Sequence, residues 1–197
     1  MAVRKPLGLT FVLYEDGNLL SKILALATLT PIFAGVALLG ALVTTRRLAW
    51  AWALLGAVLV DVACAALKEL IQQPRPTGSY REGPGMPSEH AAFSTFLAVH
   101  LSLWVWARVR CPWALKALMY LALVAWTCLV VVSRHHLGVH SSAQLAVGSA
   151  IGAAAGAAWF GVEWQCRGLF SQLQRRVDDV WAWLDVQCEG YGEKVKS

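Results

Sequence analysis

Five long apolar stretches separated by short polar segments dominate the chain between residues 19 and 160. An α-helix needs about 20 apolar residues to cross the hydrocarbon core of a bilayer, and each stretch is close to that length. The pattern therefore predicts an all-α fold, a polytopic membrane bundle of about five transmembrane helices. The predicted spans are residues 19–43, 48–71, 89–107, 113–132 and 140–160.

The hydrophobic pattern changes after residue 165. Apolar residues now recur at helical spacing with basic and acidic residues between them, which predicts a C-terminal amphipathic helix. We therefore divide the chain into a membrane-embedded domain, residues 1–165, and a cytosolic amphipathic tail, residues 166–197. The pattern fits a helix lying on the cytosolic membrane surface and a helix packed against the bundle or a partner equally well. The apolar positions are Leu169, Phe170, Leu173, Val177, Val180, Trp181 and Leu184.

Composition supports a membrane protein and excludes other classes. The 197 residues are 57% hydrophobic and only 15% charged, whereas soluble domains contain about 25% charged residues. The net charge of +5 does not indicate nucleic-acid binding, because the basic residues flank the apolar stretches instead of forming one basic face. The cysteines show no metal-like spacing, and Cys64 and Cys128 are expected to be small core residues.

Five spans place the connections at residues 44–47 and 108–112 at the same end of the bundle as the tail. Most basic residues outside the polar clusters fall at that end, so the positive-inside rule predicts that it is cytosolic. Seven tryptophans near the same interface fit an aromatic belt. The three polar clusters described next then share the non-cytosolic side. The basic residues are Arg46, Arg47, Arg108, Arg110, Lys116, Arg167, Arg175 and Arg176, and the tryptophans are Trp50, Trp52, Trp104, Trp106, Trp113, Trp159 and Trp164.

The first polar cluster lies at the end of the second span. Lys68 belongs to the last helical turns, and Arg75 follows between Pro74 and Pro76. The prolines favour an extended exit from the helix, so both cations can converge on one anion. Lysine and arginine also mark membrane boundaries without any other role, so this cluster is a weak indication by itself.

The second cluster, Pro87, Ser88, Glu89 and His90, opens the third span. Ser88 is a good N-cap residue, and the free N–H groups of a helix N-terminus bind anions. The Ser88 hydroxyl could therefore bind a phosphate oxygen, and His90 could transfer a proton. The alternative is that Ser88 serves only as a cap and His90 only as an interfacial residue.

In the third cluster, Arg134 follows Ser133 at the end of the fourth span, and His140 begins the fifth. Gln144, four residues later, is expected on the same helical face. Its side-chain oxygen can accept the Nδ1 proton of His140, which leaves Nε2 free to attack phosphorus. A lone histidine of this kind could be a hydrogen-bonded core residue, but the co-occurrence of three clusters on one side favours a functional site.

The remaining polar residues have structural interpretations. Asp61 could orient Lys68 or be a protonated core group, and a structural role is favoured; His100 is expected to pack against a neighbouring helix. One of His135 and His136 could assist phosphate binding, but both are expected to be solvated loop residues. A stripe of small residues in the last span predicts close helix packing in lipid; it contains Gly148, Gly152 and Gly156.

The three clusters, in this order and spacing, resemble the signature motifs of the type 2 phosphatidic acid phosphatase superfamily over most of the chain. Gln144 stands where that superfamily usually has aspartate, and this substitution resembles its dolichyl diphosphatase branch. Residues 9–12, 71–76 and 85–88 resemble the same branch, as does the acidic residue at Asp61. Glu89 departs from the pattern because the residue between the serine and the histidine is usually small.

The resemblance implies a division of roles. His140 is the catalytic nucleophile, His90 the proton donor, and Gln144 the residue that orients His140. Neither a metal nor another cofactor is implied. The phosphate-binding region consists of Lys68, Arg75, Ser88, Glu89 and Arg134, where the Glu89 carboxylate should repel substrate unless it points away.

The implied activity is hydrolysis of dolichyl diphosphate to dolichyl phosphate and phosphate through a phosphohistidine. It would recycle the carrier lipid for protein N-glycosylation, in the endoplasmic reticulum membrane with the site facing the lumen. The expected partners are the lipid substrate and the membrane, not nucleic acid. Alternatives are a broader lipid phosphate phosphatase, another polyprenyl diphosphatase, or an inactive membrane interaction protein.

Overall fold

The structure, a computed structural model, describes residues 4–7 and 12–194. It confirms an all-α helical bundle, to which a short antiparallel hairpin at the N-terminal end is added. Most of the segment 9–12 lies outside the described residues. In chain order the elements are β1 Arg4–Pro6, β2 Leu13–Glu15, α1 Leu19–Ala27, α2 Thr30–Thr45, α3 Leu48–Ile71, α4 Glu89–Arg108, α5 Trp113–His136, α6 Ser142–Gln165 and α7 Arg167–Lys194.

The first apolar stretch, predicted as one helix, is broken between α1 and α2. Pro31 lies in the first turn of α2 and lacks the N–H that would continue the hydrogen-bond ladder to the carbonyl of Ala27. The Thr30 hydroxyl donates to that carbonyl instead, at 2.7 Å. The two helices together, Leu19–Thr45, remain long and apolar enough to cross a membrane, as do α3, α4, α5 and α6.

Two helix boundaries near the third cluster differ from the prediction. Helix α5 continues to His136, so His135 and His136 are exposed residues of a helix and not of a loop. Helix α6 begins at Ser142 because Ser141 caps it: the Ser141 hydroxyl accepts from the Gln144 N–H, and the Gln144 side chain accepts from the Ser141 N–H. This capping box places His140 before the helix, not within it.

Helix α4 is the centre of the bundle, and α6 packs along one of its faces. The glycine stripe makes this seam possible. A Cβ added at Gly148, Gly152 or Gly156 would collide with the backbone carbonyls of Ser88, Ala92 and Phe96, respectively. The small residues therefore let the two backbones touch and set the register of α6 against α4, as predicted from the stripe.

On another face of the bundle, α2, α3 and α4 enclose an open groove of about 710 Å³. We call it the α2–α3 groove. Its walls are apolar for most of their length, and polar residues line only one end. The apolar lining includes Ile32, Val36, Leu39, Leu54, Val58 and Phe93.

Helix α7 packs against the turn between α2 and α3, at the end of the bundle opposite the polar clusters. Gln174 accepts a hydrogen bond from the Leu48 N–H at 2.9 Å and donates to the Arg46 carbonyl at 3.1 Å. Arg46 also pairs with Asp185 at 3.0 Å. Of the two placements that the amphipathic pattern allowed, these contacts favour packing against the bundle.

Two residues expected in the core have different surroundings. Cys64 is fully buried between helices, as predicted, whereas Cys128 is exposed on the outer face of α5, so its assignment to the core is wrong. Lipid would cover this apolar face. Because α5 is apolar all round, a small residue such as Cys128 can face lipid as well as the core.

His100 packs against a neighbouring helix, as expected. Its Nε2 lies 3.7 Å from a carboxylate oxygen of Glu163 on α6, and both side chains are buried. The sequence analysis did not identify Glu163 as its partner.

Candidate active site

The three polar clusters meet where four helix ends converge. Lys68 lies in the last turn of α3, Ser88 immediately precedes α4, Arg134 lies in the last turn of α5, and His140 precedes α6. The α4–α6 seam brings two of these ends into direct contact, because the Ser88 N–H donates to the Gln144 carbonyl at 3.1 Å. The residues selected from the sequence therefore share one region of the bundle.

His140 is buried, and its two ring nitrogens have different partners. Nδ1 lies 3.3 Å from Gln144 Oε1, an atom that also accepts from the Ser141 N–H. Nε2 lies 3.3 Å from Nη1 of Arg75. A guanidinium group can only donate, so Nε2 accepts and Nδ1 carries the ring proton. This tautomer leaves the nucleophilic lone pair on Nε2.

Electrostatics keep the His140 ring unprotonated. Burial lowers the pKa of His140 to about 3, and the positive charges of Arg134 and Arg75 act in the same direction. The hydrogen bond to Gln144 opposes this shift but does not overcome it. The imidazole is therefore neutral at physiological pH, which is the state that a nucleophile requires.

Gln144 holds the site together with both ends of its amide. While Oε1 faces His140, Nε2 donates to the Pro74 carbonyl at 2.8 Å and to Gln73 Oε1 at 3.2 Å. The amide thus joins the start of α6 to the segment that carries Arg75. The contact with His140 was predicted, but the argument from a shared helical face was wrong, because the capping turn of α6 creates the contact.

The predicted phosphate binders include donors that have no acceptor in the part of the chain that the structure describes. The Ser88 hydroxyl, Arg75 Nε and Arg134 Nε are all buried in this condition. A buried polar group without a partner costs about 1–3 kcal/mol, so a bound anion would relieve an existing penalty. Ser88 occupies the N-cap position, but its hydroxyl does not cap α4 as expected; this leaves the hydroxyl available to a ligand.

Arg75, which is half-buried, and Arg134, which is fully buried, are held by neutral acceptors. Arg75 Nη1 donates to the Val139 carbonyl at 3.0 Å, and Arg134 Nη1 donates to the Thr28 hydroxyl at 3.1 Å. Burial lowers the pKa of Arg75, and the charge of Arg81 adds to this effect. Neither arginine is neutralised by a carboxylate in an ion pair among the described residues, so their positive charge is available to an anion.

Lys68 and Glu89 form an ion pair of 2.8 Å. The Glu89 carboxylate therefore points toward the phosphate-binding region and not away from it. It neutralises Lys68 while the site is empty. Asp61, two turns before Lys68, lines the α2–α3 groove, and its Oδ1 is buried without a hydrogen-bond partner among the described residues.

His90 connects the polar site to the apolar groove. It is the second residue of α4, and it lines the polar end of the α2–α3 groove beside Thr28, Glu89 and Arg81. A hydrocarbon chain in the groove would therefore have its polar end next to His90.

Several residues of this region were not predicted from the sequence. Thr28 comes from the break in the first span, which the apolar pattern did not indicate. Tyr80, whose buried hydroxyl has no partner in the described part of the chain, and Arg81 come from the loop between the first two clusters. Arg81 could have been identified from its position, because it is a basic residue in the short segment that joins two predicted phosphate-binding motifs.

A buried neutral histidine stands beside arginines that have no carboxylate partner, and the neighbouring groove, whose polar end holds His90 and Glu89, suits a hydrocarbon chain. This arrangement is that of a membrane-embedded phosphatase of lipid substrates. Comparisons with known proteins agree. Residues 49–167 match the PAP2 superfamily, and the chain belongs to that family. The superfamily and the branch resemblance are thereby confirmed.

Two curated relatives and one solved structure illustrate the similarity. The chain is 31% identical to Dolichyldiphosphatase 1 of Mus musculus, over 79% of this chain and 70% of that protein. It is 32% identical to Lipid phosphate phosphatase gamma of Arabidopsis thaliana, over 80% and 73%. The fold matches the PAP2 type phosphatidylglycerolphosphate phosphatase of Bacillus subtilis with a TM-score of 0.65, at 18% identity over 74% and 77% of the two chains.

Proposed function

We propose that this lipid phosphatase hydrolyses dolichyl diphosphate to dolichyl phosphate and inorganic phosphate through a phosphohistidine. The observation that carries the proposal is the arrangement of His140. The lone pair of its Nε2 accepts a hydrogen bond from Arg75, while Gln144 fixes the opposite ring nitrogen. The similarity to proteins named dolichyldiphosphatase supports the choice of lipid.

In the first step the terminal phosphate binds between Lys68, Arg75, Arg134 and the Ser88 hydroxyl. Arg75 moves from Nε2 of His140 to the phosphate oxygens, and Nε2 attacks phosphorus. The bond between phosphorus and the bridging oxygen breaks, and its electron pair stays on that oxygen. His90 supplies a proton to the departing dolichyl phosphate, while the cations stabilise the charge that builds on the equatorial oxygens.

In the second step water attacks the phosphorus of the phosphohistidine. The bond to Nε2 breaks and returns its electron pair to His140, and His90 accepts the proton of the water. Inorganic phosphate leaves, and Arg75 returns to Nε2. The three cations and the Ser88 hydroxyl provide the charge stabilisation, so we propose that the reaction needs no metal ion.

The α2–α3 groove supports a long apolar substrate. Its polar end holds His90, and its apolar walls continue between α2 and α3 as far as Leu39 and Leu54. From Asp61 to Leu54 alone, the helical rise gives a depth of about 10 Å. The first isoprene units of a polyprenyl chain would lie here and the remainder in the membrane.

We place the site on the lumenal side of the endoplasmic reticulum membrane, where the reaction would recycle the carrier lipid for protein N-glycosylation. The distribution of basic residues, which are concentrated at the opposite end of the bundle, supports a site on the non-cytosolic side. The choice of membrane and pathway follows from the similarity to proteins named dolichyldiphosphatase. On this assignment residues 166–197 form a cytosolic tail that packs on the turn between α2 and α3.

A broader lipid phosphate phosphatase is the second candidate. The similarity to Lipid phosphate phosphatase gamma, at 32% identity, favours it. The two candidates differ in whether diphosphates are preferred to phosphate monoesters.

Phosphate release by purified protein in nanodiscs tests the proposal. Dolichyl diphosphate, dolichyl phosphate and phosphatidate are compared in excess chelator, and a β-³²P-labelled diphosphate reports the covalent intermediate. We expect metal-independent release, mainly from the diphosphate, with an acid-labile, base-stable label on the protein. His140→Ala should reduce the rate at least about 1,000-fold and abolish the label, because it removes the nucleophile.

His135→Ala is the matched control, because His135 is an exposed histidine at the same end of the bundle; it should retain the wild-type rate. Preferential hydrolysis of phosphatidate would favour the second candidate. A label that persists in His140→Ala would exclude the proposed nucleophile.

A further inference from the structure

We infer that Arg81 binds the leaving phosphate of a diphosphate substrate and makes the site select diphosphates over monoesters. The inference rests on the proposed function and assigns a role to a residue outside all three motif clusters. A diphosphate presents two phosphate groups, and the motif cations account for only the one that is transferred.

The position of Arg81 is the first argument. Its side chain lines the polar end of the α2–α3 groove together with His90, and it also lines a second cleft of about 420 Å³ beside Arg75. Arg81 therefore borders both the cleft that Arg75 lines and the polar end of the groove that would hold the lipid. The leaving phosphate of a lipid held in the groove would lie near this end.

The second argument is the balance of charge at this point. The other charged side chains that line the groove in the described part of the chain are the carboxylates of Asp61 and Glu89. Lys68 already pairs with Glu89, so without Arg81 a leaving phosphate would find no unpaired lysine or arginine in the described lining of the groove. Among the described residues that line the groove, Arg81 is the one that belongs to the lysine and arginine class. Its guanidinium makes no hydrogen bond or ion pair with the side chains that the structure describes.

The chemistry of the leaving group supplies the third argument. When the bond to the transferred phosphorus breaks, negative charge accumulates on the bridging oxygen and spreads over the leaving phosphate. Arginine can bind such a group with two parallel, charge-assisted hydrogen bonds. Arg81 would therefore stabilise the charge of the leaving phosphate while His90 supplies the proton. Only a substrate with a second phosphate would gain from this contact.

Electrostatic coupling supports this placement. Arg81 is close enough to Arg75 to contribute to the lowered pKa of that residue, after burial. Two like charges in this proximity repel each other while the site is empty. A diphosphate that spans both guanidinium groups would remove the repulsion, whereas a monoester would reach only one of them.

The test compares Arg81→Gln with the wild type on dolichyl diphosphate and on dolichyl phosphate. We expect the diphosphate-to-monoester ratio of kcat/KM to fall by about 10- to 100-fold, the range for loss of hydrogen bonds to a charged group. Arg81→Lys should give an intermediate ratio, because it keeps the charge but loses the two-pronged geometry. Arg110→Gln, an exposed arginine at the opposite end, is the control and should keep the wild-type ratio.

A second readout separates failure of this inference from failure of the proposed function. Inhibition by methylenediphosphonate and by inorganic phosphate is measured with whichever lipid phosphate the wild type hydrolyses fastest. Arg81→Gln should weaken the diphosphonate at least fivefold more than phosphate. Equal losses for both inhibitors, or an unchanged substrate ratio, would overturn the role of Arg81. Absence of diphosphate hydrolysis by the wild type would instead reject the proposed function.

Discussion

The two faces of α4 differ in how tightly they are packed. Toward α6 the backbones touch, and glycines occupy the positions where any Cβ would collide with a carbonyl. Toward α2 and α3 the packing opens into a groove of about 710 Å³. One helix therefore borders both a seam in which backbones touch and an open groove.

The two faces serve different requirements: the α4–α6 face positions the residues of the site, and the other face accommodates the lipid. The α4–α6 seam fixes Ser88 against Gln144, and through Gln144 it fixes His140; small errors in such positions are costly for catalysis. The groove only has to admit a flexible hydrocarbon chain, for which apolar surface matters more than exact shape. Substitutions in the seam should therefore be more damaging than substitutions in the groove.

The largest effect is expected from adding a side chain at a glycine of the seam. Gly152→Leu would place a side chain against the Ala92 carbonyl and should destabilise the bundle by about 3 kcal/mol or more. Activity should fall more than about 100-fold because Ser88 moves relative to His140. Detergent-induced unfolding and phosphate release would measure the two effects.

Gly161→Leu is the matched control on the same helix, because a Cβ at Gly161 meets no other atom within 4 Å. It should be neutral or slightly stabilising, since leucine has the better helix propensity. If Gly152→Leu does not fold, Gly152→Ala should still be less stable than Gly161→Ala. Equal stabilities of the two alanine variants would show that the seam is not tightly packed.

The next effect concerns the amide at the site end of the seam. Gln144→Glu keeps an acceptor for His140 but replaces the donor to the Pro74 carbonyl with a second oxygen. We expect kcat/KM at pH 7 to fall about 10- to 100-fold through loss of that bond. The new carboxylate should also raise the pKa of His140 from about 3 toward its ordinary value of 6.5.

The sign of the pH effect follows from the protonation state that reacts. In the proposed mechanism unprotonated His140 is the nucleophile, so activity would be lost as pH falls through its pKa. The acid limb of the kcat/KM profile that is due to His140 should therefore move to higher pH in Gln144→Glu. An acid limb at the wild-type position would contradict the assigned tautomer and contact.

A smaller effect is expected from filling the groove. Gly35 lines it, and a Cβ at this position meets no other atom within 4 Å. Gly35→Phe should lower kcat/KM for a long polyprenyl diphosphate by about tenfold, equivalent to displacing two buried methylene groups. Hydrolysis of a short prenyl diphosphate should change less.

Gly40→Phe provides the comparison, because Gly40 also has open space around it but does not line the groove. This variant should treat both chain lengths like the wild type. A chain-length effect of equal size in both variants would mean that the groove does not hold the lipid.

The smallest effect is expected at the mouth of the groove. Glu89→Gln removes the carboxylate that pairs with Lys68 at 2.8 Å, so an incoming phosphate no longer competes for that cation. The inhibition constant of inorganic phosphate should decrease about two- to fivefold, consistent with a partly exposed ion pair. Weaker phosphate inhibition would instead indicate that Glu89 positions Lys68 for binding.

The sequence predicted the number of spans and the convergence of the motifs because both depend on local composition. Apolar length identified the spans, and motif order and sidedness indicated which helix ends share the site. The break at Thr28 was missed because it depends on one proline inside an apolar stretch. The start of α6 at Ser142 was missed because it depends on one capping residue inside a polar segment. The Nε2 contacts of Gln144 and the pairing of Lys68 with Glu89 join distant segments, and no spacing rule specifies them.

The break in the first span also affects how the family segment relates to a working enzyme. Residues 49–167 carry the PAP2 match, yet Thr28, which accepts from Arg134, and all of α2 precede that segment. The matched segment alone would contain the residues proposed to react but would lack one groove wall and the hydroxyl that accepts from Arg134. Substitutions in α2 should therefore change how the groove accepts a lipid while the residues proposed to react stay the same.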